Sequence, residues 1–543
     1  MKKILGACIG SCIHLAGVLN FLTAAKKAGY QTRFSGSAMG IDDLVDGIKE
    51  YRPDIVALSY RLSPESIMPV FEELKKKIKG APLLENIEFI LGTTRPVAEI
   101  AANTGIFKRI FTGEEDASDV ESYLRKEKVD REETVPPDTL VERIGFRKPF
   151  PIIRHHFGRP TLDDTVEGIR KIAESGLLDV ISIGPDQNTQ EFFFHPEKMD
   201  PKQDGAGGVP LRSEEDFRKL FAASRTGNYP LLRCYSGTND ILKMAKVLRR
   251  TINNAWCAVP LFWYNVLDNR SRRGLAESIA ENQSVMKWHG MENIPVEVNE
   301  SHHWSLRYAP DAVAVAAAYL AAYNAKKMGV STYVSQYMFN TPPETSFAMD
   351  LAKMMAKVEI IESLHDDSFV TIRETRAGLF SYPADLDESK GQLASSAMLQ
   401  RRLDPEIIHI VGYCEADHAA TAEDIIESAK IGKRVIENCL DGCPDMKLDP
   451  RVLQRKEELI RESTLIMEKI RSLDRDRAFP DPLTAPQILA AAVEKGILDA
   501  PHLCGVKAAR GTIITVFRDG KNYSADKDLQ PITEEQRLES ISV

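Results

Sequence analysis

Apolar and polar positions follow each other regularly over residues 1–127, and the pattern predicts strands alternating with helices. Lys3 to Ile9 is an apolar run of strand length. His14 to Ala28 has the i, i+3, i+4 apolar spacing of an amphipathic helix, closed by Gly29. Asp54 to Ser59 reads as a buried strand, Glu88 to Leu91 as a strand ending in Gly92, and Arg109 to Phe111 as one ending in Thr112-Gly113. Such alternation predicts a parallel sheet with helices on both faces. Ligands of such sheets sit outside the carboxyl ends of the strands. Those ends carry Gly10-Ser11-Cys12, Ser59-Tyr60, Gly92-Thr93-Thr94 and Thr112-Gly113.

A polar stretch with Pro136-Pro137, residues 128–145, reads as a linker. Residues 146–440 carry eight strand–helix cycles, with strand ends expected at His155, Gly184, Tyr235, Tyr264, Val298, Gln336, Arg373 and Val411. Eight cycles over this length are what a (β/α)8 barrel requires. Residues 441–543 read as an extension packed on the barrel, mostly helical, with a small β piece at Gly511 to Phe517.

Composition narrows the function classes. The 543 residues are 43% hydrophobic and 27% charged, with a formal net charge of −9. That supports a large core and excludes global disorder. Basic residues are dispersed rather than gathered on one stretch, which argues against nucleic acid as a partner. No run reaches the ~18 apolar residues of a membrane span, and the start lacks a small-residue cleavage site, so a cytoplasmic protein is expected. Eight cysteines are too sparse for a disulfide scaffold and fit a reducing compartment.

The first turn reads Gly6-Ala7-Cys8-Ile9-Gly10-Ser11-Cys12-Ile13-His14-Leu15-Ala16-Gly17. It sets a histidine in a strand-to-helix loop, three residues before a glycine. Alone, such a histidine is usually structural. With Ser59 and Gly92 at their spacings, however, this segment resembles the cobalamin-binding subunit of glutamate (methylaspartate) mutase and its relatives. That family carries Asp-x-His-x-x-Gly here, Ser-x-Leu after a middle strand and Gly-Gly after a later one. The resemblance implies a Rossmann-like (flavodoxin-like) cobalamin-binding domain over 1–127. It implies His14 as the lower cobalt ligand and a slot for the displaced nucleotide tail bordered by Ser11, Cys12, Gly17, Ser59, Gly92, Thr93, Thr94 and Gly113. Imidazole suits cobalt. The chain departs from the pattern at Cys12, in place of the aspartate that orients the histidine, at Arg61 in place of the leucine, and at Thr93 in place of the second glycine.

The barrel resembles the catalytic subunit of the same family, at His155 to Gly158, Asp186 to Gln190, Ser236 to Asp240, Tyr264 to Val266, Glu415-Ala416 and Lys495 to Pro501. The resemblance implies a TIM barrel fused behind the cobalamin domain, with the corrin between that domain's strand ends and the barrel mouth. The family's carboxylate-binding arginines fall on His156, Gln190 and Tyr235, and its carboxylate base on Ala258. Glutamate is therefore excluded as the substrate, because a bidentate arginine site is not replaced by these side chains. Tyr264 keeps a family tyrosine. Glu415 keeps the ribose-binding glutamate, whereas Val411 stands for its lysine.

The implied activity is an adenosylcobalamin-dependent carbon-skeleton mutase acting on a small acid, an isomerase. Its catalytic set would be His156, Gln190, Tyr235, Tyr264 and Glu415, with Arg159, Arg233 or Arg373 holding an acidic group. Val411 keeps a methylcobalamin-dependent methyltransferase as the alternative, and a non-catalytic corrinoid carrier is a third class. Glu300, His302, Asp417 and His418 are weighed as converging metal ligands, against ordinary hydrogen-bonding roles. Zinc at Cys439 and Cys443 lacks two further ligands. A homodimer rests on family analogy alone.

Overall fold

The computed structural model describes residues 1–113, 115, 117–126 and 135–542. Two compact units, Met1–Thr134 and Val135–Val543, divide the chain.

The first unit is a five-stranded parallel sheet in the order β2-β1-β3-β4-β5. Its strands are β1 (Lys3–Ile9), β2 (Gln31–Met39), β3 (Ile55–Tyr60), β4 (Glu88–Thr93) and β5 (Phe107–Phe111). β1 and β3 are nearly wholly buried, which the continuous apolar runs dictate. The strand at Gln31–Met39 escapes the hydrophobic pattern because it is an edge strand, half exposed along its length, with register shifts against β1. The first helix, Ala16–Lys27, lies close on β1. Gly6 allows the approach, since a Cβ there would meet Leu22 Cδ1 at 2.6 Å.

The second unit holds an eight-stranded parallel sheet, nearly closed as a barrel. It comprises β6 (Ile152–Phe157), β7 (Val180–Ile183), β8 (Leu231–Arg233), β9 (Cys257–Val259), β10 (Val296–Val298), β11 (Thr332–Phe339), β12 (Val370–Ala377) and β13 (Ile407–His409). Its order runs β8-β7-β6-β13-β12-β11-β10-β9, so the seam lies between β8 and β9. A side chain spans it. Asn254 Oδ1 accepts from Cys234 N–H at 2.8 Å and Asn254 Nδ2 donates to Cys234 O at 3.2 Å. Beside them Ala255 N–H donates to Leu232 O at 2.9 Å. Asn254→Ala leaves Cys234's buried amide groups unpaired and is expected to cost about 2–4 kcal/mol, read as a lower urea midpoint.

Two strand ends differ from expectation with consequences for the site. β9 stops at Val259, before Pro260, so Tyr264 lies beyond it in a buried turn at φ 67°. β12 runs past Arg373 to Ala377. Of the expected linker, 128–134 lie outside the described residues, whereas Leu140–Arg147 forms a helix. Its Leu140, Arg143 and Ile144 are buried at helical spacing, and Arg143 donates to Pro137 O and Tyr229 O at 2.8 Å each. The charge of this stretch hides the helix because its buried stripe includes an arginine.

The C-terminal region packs its helices Pro450–Arg471 and Pro486–Glu494 on helices of the barrel. The expected β piece is a hairpin, β14 (Ile514–Arg518) with β15 (Lys521–Ala525). All eight cysteines are free thiols. Among the described residues no helix is long and apolar enough to cross a membrane.

Candidate functional site

In the first unit the chain changes direction between β1 and β3, and the loop after β1 sits there. Ser59 Oγ donates to His14 O at 3.3 Å, and Cys8 Sγ donates to it at 3.6 Å. These bonds pin the His14 backbone while its side chain stays exposed. His14 Nδ1 lies 3.6 Å from Cys12 Sγ, which also accepts Arg61 N–H at 3.4 Å. Nδ1 is thus turned toward the sulfur.

Beside this loop a cavity of about 420 Å³ opens under helix Ala16–Lys27. Gly17, Ser59, Gly92, Thr93 and Gly113 line it, as do Ile90 and Phe21. Nothing lies within 4 Å of a Cβ built on Gly17 or Gly113, so the glycines leave open space rather than fill a packed wall. Thr93 Oγ1 is spent on Tyr60 O at 2.6 Å. Ser11, Cys12 and Thr94 fall outside the lining: Ser11 is exposed, Cys12 is buried, and Thr94 sits at the start of helix Arg95–Thr104 without a side-chain capping bond.

The barrel interior is charged. Arg154 on β6 pairs with Glu374 on β12, and its Nε donates to Ser182 Oγ at 2.9 Å. Arg233 on β8 donates to Glu297 Oε2 at 2.6 Å. Glu297 also accepts Trp256 Nε1–H at 2.7 Å and Gln336 Nε2–H at 2.6 Å. Both guanidiniums flank the Trp256 ring, 5.4 and 5.5 Å from its centroid. Burial alone would raise Glu297, but Arg233 and Arg154 outweigh it and hold its carboxyl below the usual range. Burial dominates at Glu374, which rises to about 7.

Above this floor a cavity of about 550 Å³ opens among the carboxyl ends of the strands. Five histidines border it: His155, His156, His302, His303 and His409. Burial, reinforced by nearby guanidiniums including Arg376, keeps all of them neutral, with His155 pushed down to about 4. His156 Nε2 accepts from Arg154 at 2.9 Å, and its ring stacks on His409 at 4.7 Å. Burial likewise raises the Tyr235 and Tyr264 phenols.

No protein-family model matches the chain, and no curated protein does. Among solved structures, a cobalamin-binding protein from Desulfitobacterium hafniense DCB-2 is similar at 22% identity, over 23% of this chain and 58% of its own, with a TM-score of 0.21. A Rubisco-like protein from Rhodopseudomonas palustris is similar at 11% identity, over 56% of this chain and 69% of its own, with a TM-score of 0.31. The cobalamin-dependent S-adenosylmethionine radical enzyme OxsB is similar at 12% identity, over 88% of this chain and 69% of its own, with a TM-score of 0.18. Likenesses of this size decide neither fold nor activity.

Of the expected catalytic residues, His156, Tyr235, Tyr264 and Glu415 border the barrel cavity and Gln190 does not. Gln190 turns aside because its Nε2 donates to Pro185 O at 2.8 Å. The expected acid-binding arginines are all engaged: Arg159 with Ala419 O and Ala420 O, Arg233 with Glu297, and Arg373 with Glu362. The weighed metal ligands do not converge. Glu300 is buried, accepting Leu261 N–H, Phe262 N–H and Trp304 Nε1–H, and His418 is exposed between Asp417 and Asp424. Arg376 belongs to the polar run Arg373-Glu374-Thr375-Arg376 that the sequence places at the barrel mouth, but the acid-binding role was given to Arg373, which pairs with Glu362, whereas Arg376 borders the cavity. Arg154, Arg270 and His409 are lining residues to which sequence reasoning assigned no role.

Proposed function

We propose that the first unit would hold a corrinoid through His14, which would ligate its cobalt, and that the barrel is the chamber of an adenosylcobalamin-dependent carbon-skeleton mutase acting on a small acid. The observation that carries the reading is the glycine-lined slot beside an exposed, backbone-pinned histidine. The residues fit the group. Gly17, Gly92 and Gly113 leave a tail-sized space, Ser59 fixes the His14 carbonyl, and Cys12 faces Nδ1 where an orienting partner is needed.

When bound, adenosylcobalamin supplies hydrogen-atom abstraction and return. The chain's own part is to bind, orient and exclude water. The neutral histidines and raised tyrosines of the wall keep their protonation near neutrality, whereas Glu374 in the floor, pushed up to about 7 by burial, does not. Tyr235 and Tyr264 present hydroxyls to the substrate, and Glu415 stands at the mouth for a ribose. Val411, which also borders the cavity, favours methyl transfer as the second reading, since it offers no cation where the resembled family has a lysine.

Chain labelled with ¹⁵N-histidine and loaded with cob(II)alamin tests the first half. The cobalt EPR signal is expected to show splitting that depends on the label. His14→Ala should abolish it and weaken corrinoid binding by about 10-fold or more. Label-dependent splitting that survives in His14→Ala sinks the assignment. A radical EPR signal on anaerobic mixing with adenosylcobalamin and the substrate acid supports the mutase. Methyl turnover from methylcobalamin replaces it with the methyltransferase.

A further inference from the structure

Four guanidiniums border the barrel cavity: Arg154, Arg233, Arg270 and Arg376. Three have a carboxylate within 4 Å. Arg154 pairs with Glu374, Arg233 with Glu297 at 2.6 Å, and Arg270 lies 3.8 Å from Asp268. Arg376 has no ion pair among the described residues, and its one hydrogen bond runs from Nε to Ala377 O at 3.3 Å. Its terminal nitrogens are free to fork onto an anion.

The neighbours of Arg376 say what kind. Across the sheet it stands in register with Met338 on β11 and His409 on β13. His409 is 2% exposed, and its Nδ1 has no hydrogen-bond partner, lying 3.9 Å from Glu374 Oε1. His155 Nε2, also facing the cavity, is buried and unpartnered. A buried polar atom without a partner costs about 1–3 kcal/mol unless a ligand satisfies it. Next to this polar group the wall is apolar, made by Met338, Leu379, Phe380 and Val411. Phe380 is 73% exposed, a large apolar side chain left at the mouth.

We propose that the cavity takes an aliphatic acid with a single carboxylate. The carboxylate lies on Arg376 with His409 beside it, and the short alkyl end packs against Met338, Leu379, Phe380 and Val411. A guanidinium with no direct ion pair matches one carboxylate, and with Glu374, Glu297 and Glu415 already attracting it from farther off, a second carboxylate there would be left unpaired. The assignment rests on the barrel being the reaction chamber, and it names that chamber's substrate class.

Calorimetric titration of the corrinoid-free full-length chain tests it with three probes of like size: isobutyrate, isobutyramide and succinate. Isobutyrate is expected to bind at least about 10-fold more tightly than the other two. Arg376→Gln should weaken isobutyrate by about 10-fold or more, with Arg376→Lys between the two because it keeps the charge and loses the fork. Arg376 makes one hydrogen bond and no ion pair within 4 Å among the described residues, and a circular-dichroism melt close to wild type is the check that the variants fold. The assignment is overturned if isobutyrate does not bind the wild-type chain, if Arg376→Gln binds it unchanged, if the amide binds as well, or if succinate binds more tightly and Arg270→Gln loses as much as Arg376→Gln. The titration needs no corrinoid and the cobalt EPR experiment needs no anion, so the two readings fail separately.

Discussion

Glu297→Ala is expected to destabilise the barrel by about 3–5 kcal/mol, or to prevent it from folding. This carboxylate is fully buried and gathers four donors or cations: Arg233, Trp256, Gln336 and, at 3.6 Å, Arg154. Removing one member of a buried charge pair leaves the partner desolvated and uncompensated, which costs far more than the pair's net worth. Here two guanidiniums would share Glu374 alone, and burial already pushes that carboxyl up to about 7. Glu297→Gln keeps the shape and the Trp256 acceptor but not the charge, so it should fall between. Urea unfolding followed by tryptophan fluorescence reads the effect, since Trp256 lies in the network itself. A Glu297→Ala protein that unfolds at the wild-type midpoint would show that the pairs do not hold the barrel.

Gly92→Val is expected to leave the fold intact, or slightly firmer, while weakening corrinoid binding by more than about 100-fold. On β4, Ile90 and Gly92 are two residues apart and share the face that lines the slot. A Cβ at position 92 meets nothing nearer than Leu58 O at 3.9 Å, and the backbone there is in the ordinary extended range. Valine is a better strand residue than glycine, so local stability should not suffer. Its methyls would occupy the space that the proposed nucleotide tail needs, and close-packed walls have little room to yield. Spectral titration with aquocobalamin beside a thermal melt separates the two effects. Tight binding with an unchanged melt would show that the tail lies elsewhere.

Strand–helix alternation was legible wherever strands are buried on both faces. Ile55 to Tyr60 and Val180 to Ile183 are fully buried and apolar but for Ser59 and Ser182, and the sequence pattern finds both. It misses Gln31–Met39, whose residues are mostly half exposed, and overruns β9, since the buried stretch Leu261 to Trp263 continues the apolar run after Pro260 has ended the strand. Of the expected slot set, Gly17, Ser59, Gly92, Thr93 and Gly113 line the cavity, where the glycines leave room, whereas Ser11, Cys12 and Thr94, at the same loop ends, do not. The barrel site was less so. Arg154, Arg233, Glu297 and Glu374 lie inside strands, where charge normally argues for a solvent face, and only the barrel's closure shows that they face one another. Arg373 and Arg376 are three residues apart on β12 and so point to opposite faces, Arg373 to Glu362 and Arg376 to the cavity; the local pattern does not say which face is the interior.

The seam between β8 and β9 carries a last consequence. Arg233 sits on one bank and Trp256 on the other, and both donate to Glu297. That carboxylate therefore acts as a clasp over the gap that Asn254 bridges at the backbone. Chamber floor and ring closure are thus one mechanical unit. Attempts to retune the floor for another ligand will loosen the ring, whereas the opposite wall around Met338 and Arg376, in the barrel's longest strands, tolerates redesign at lower cost.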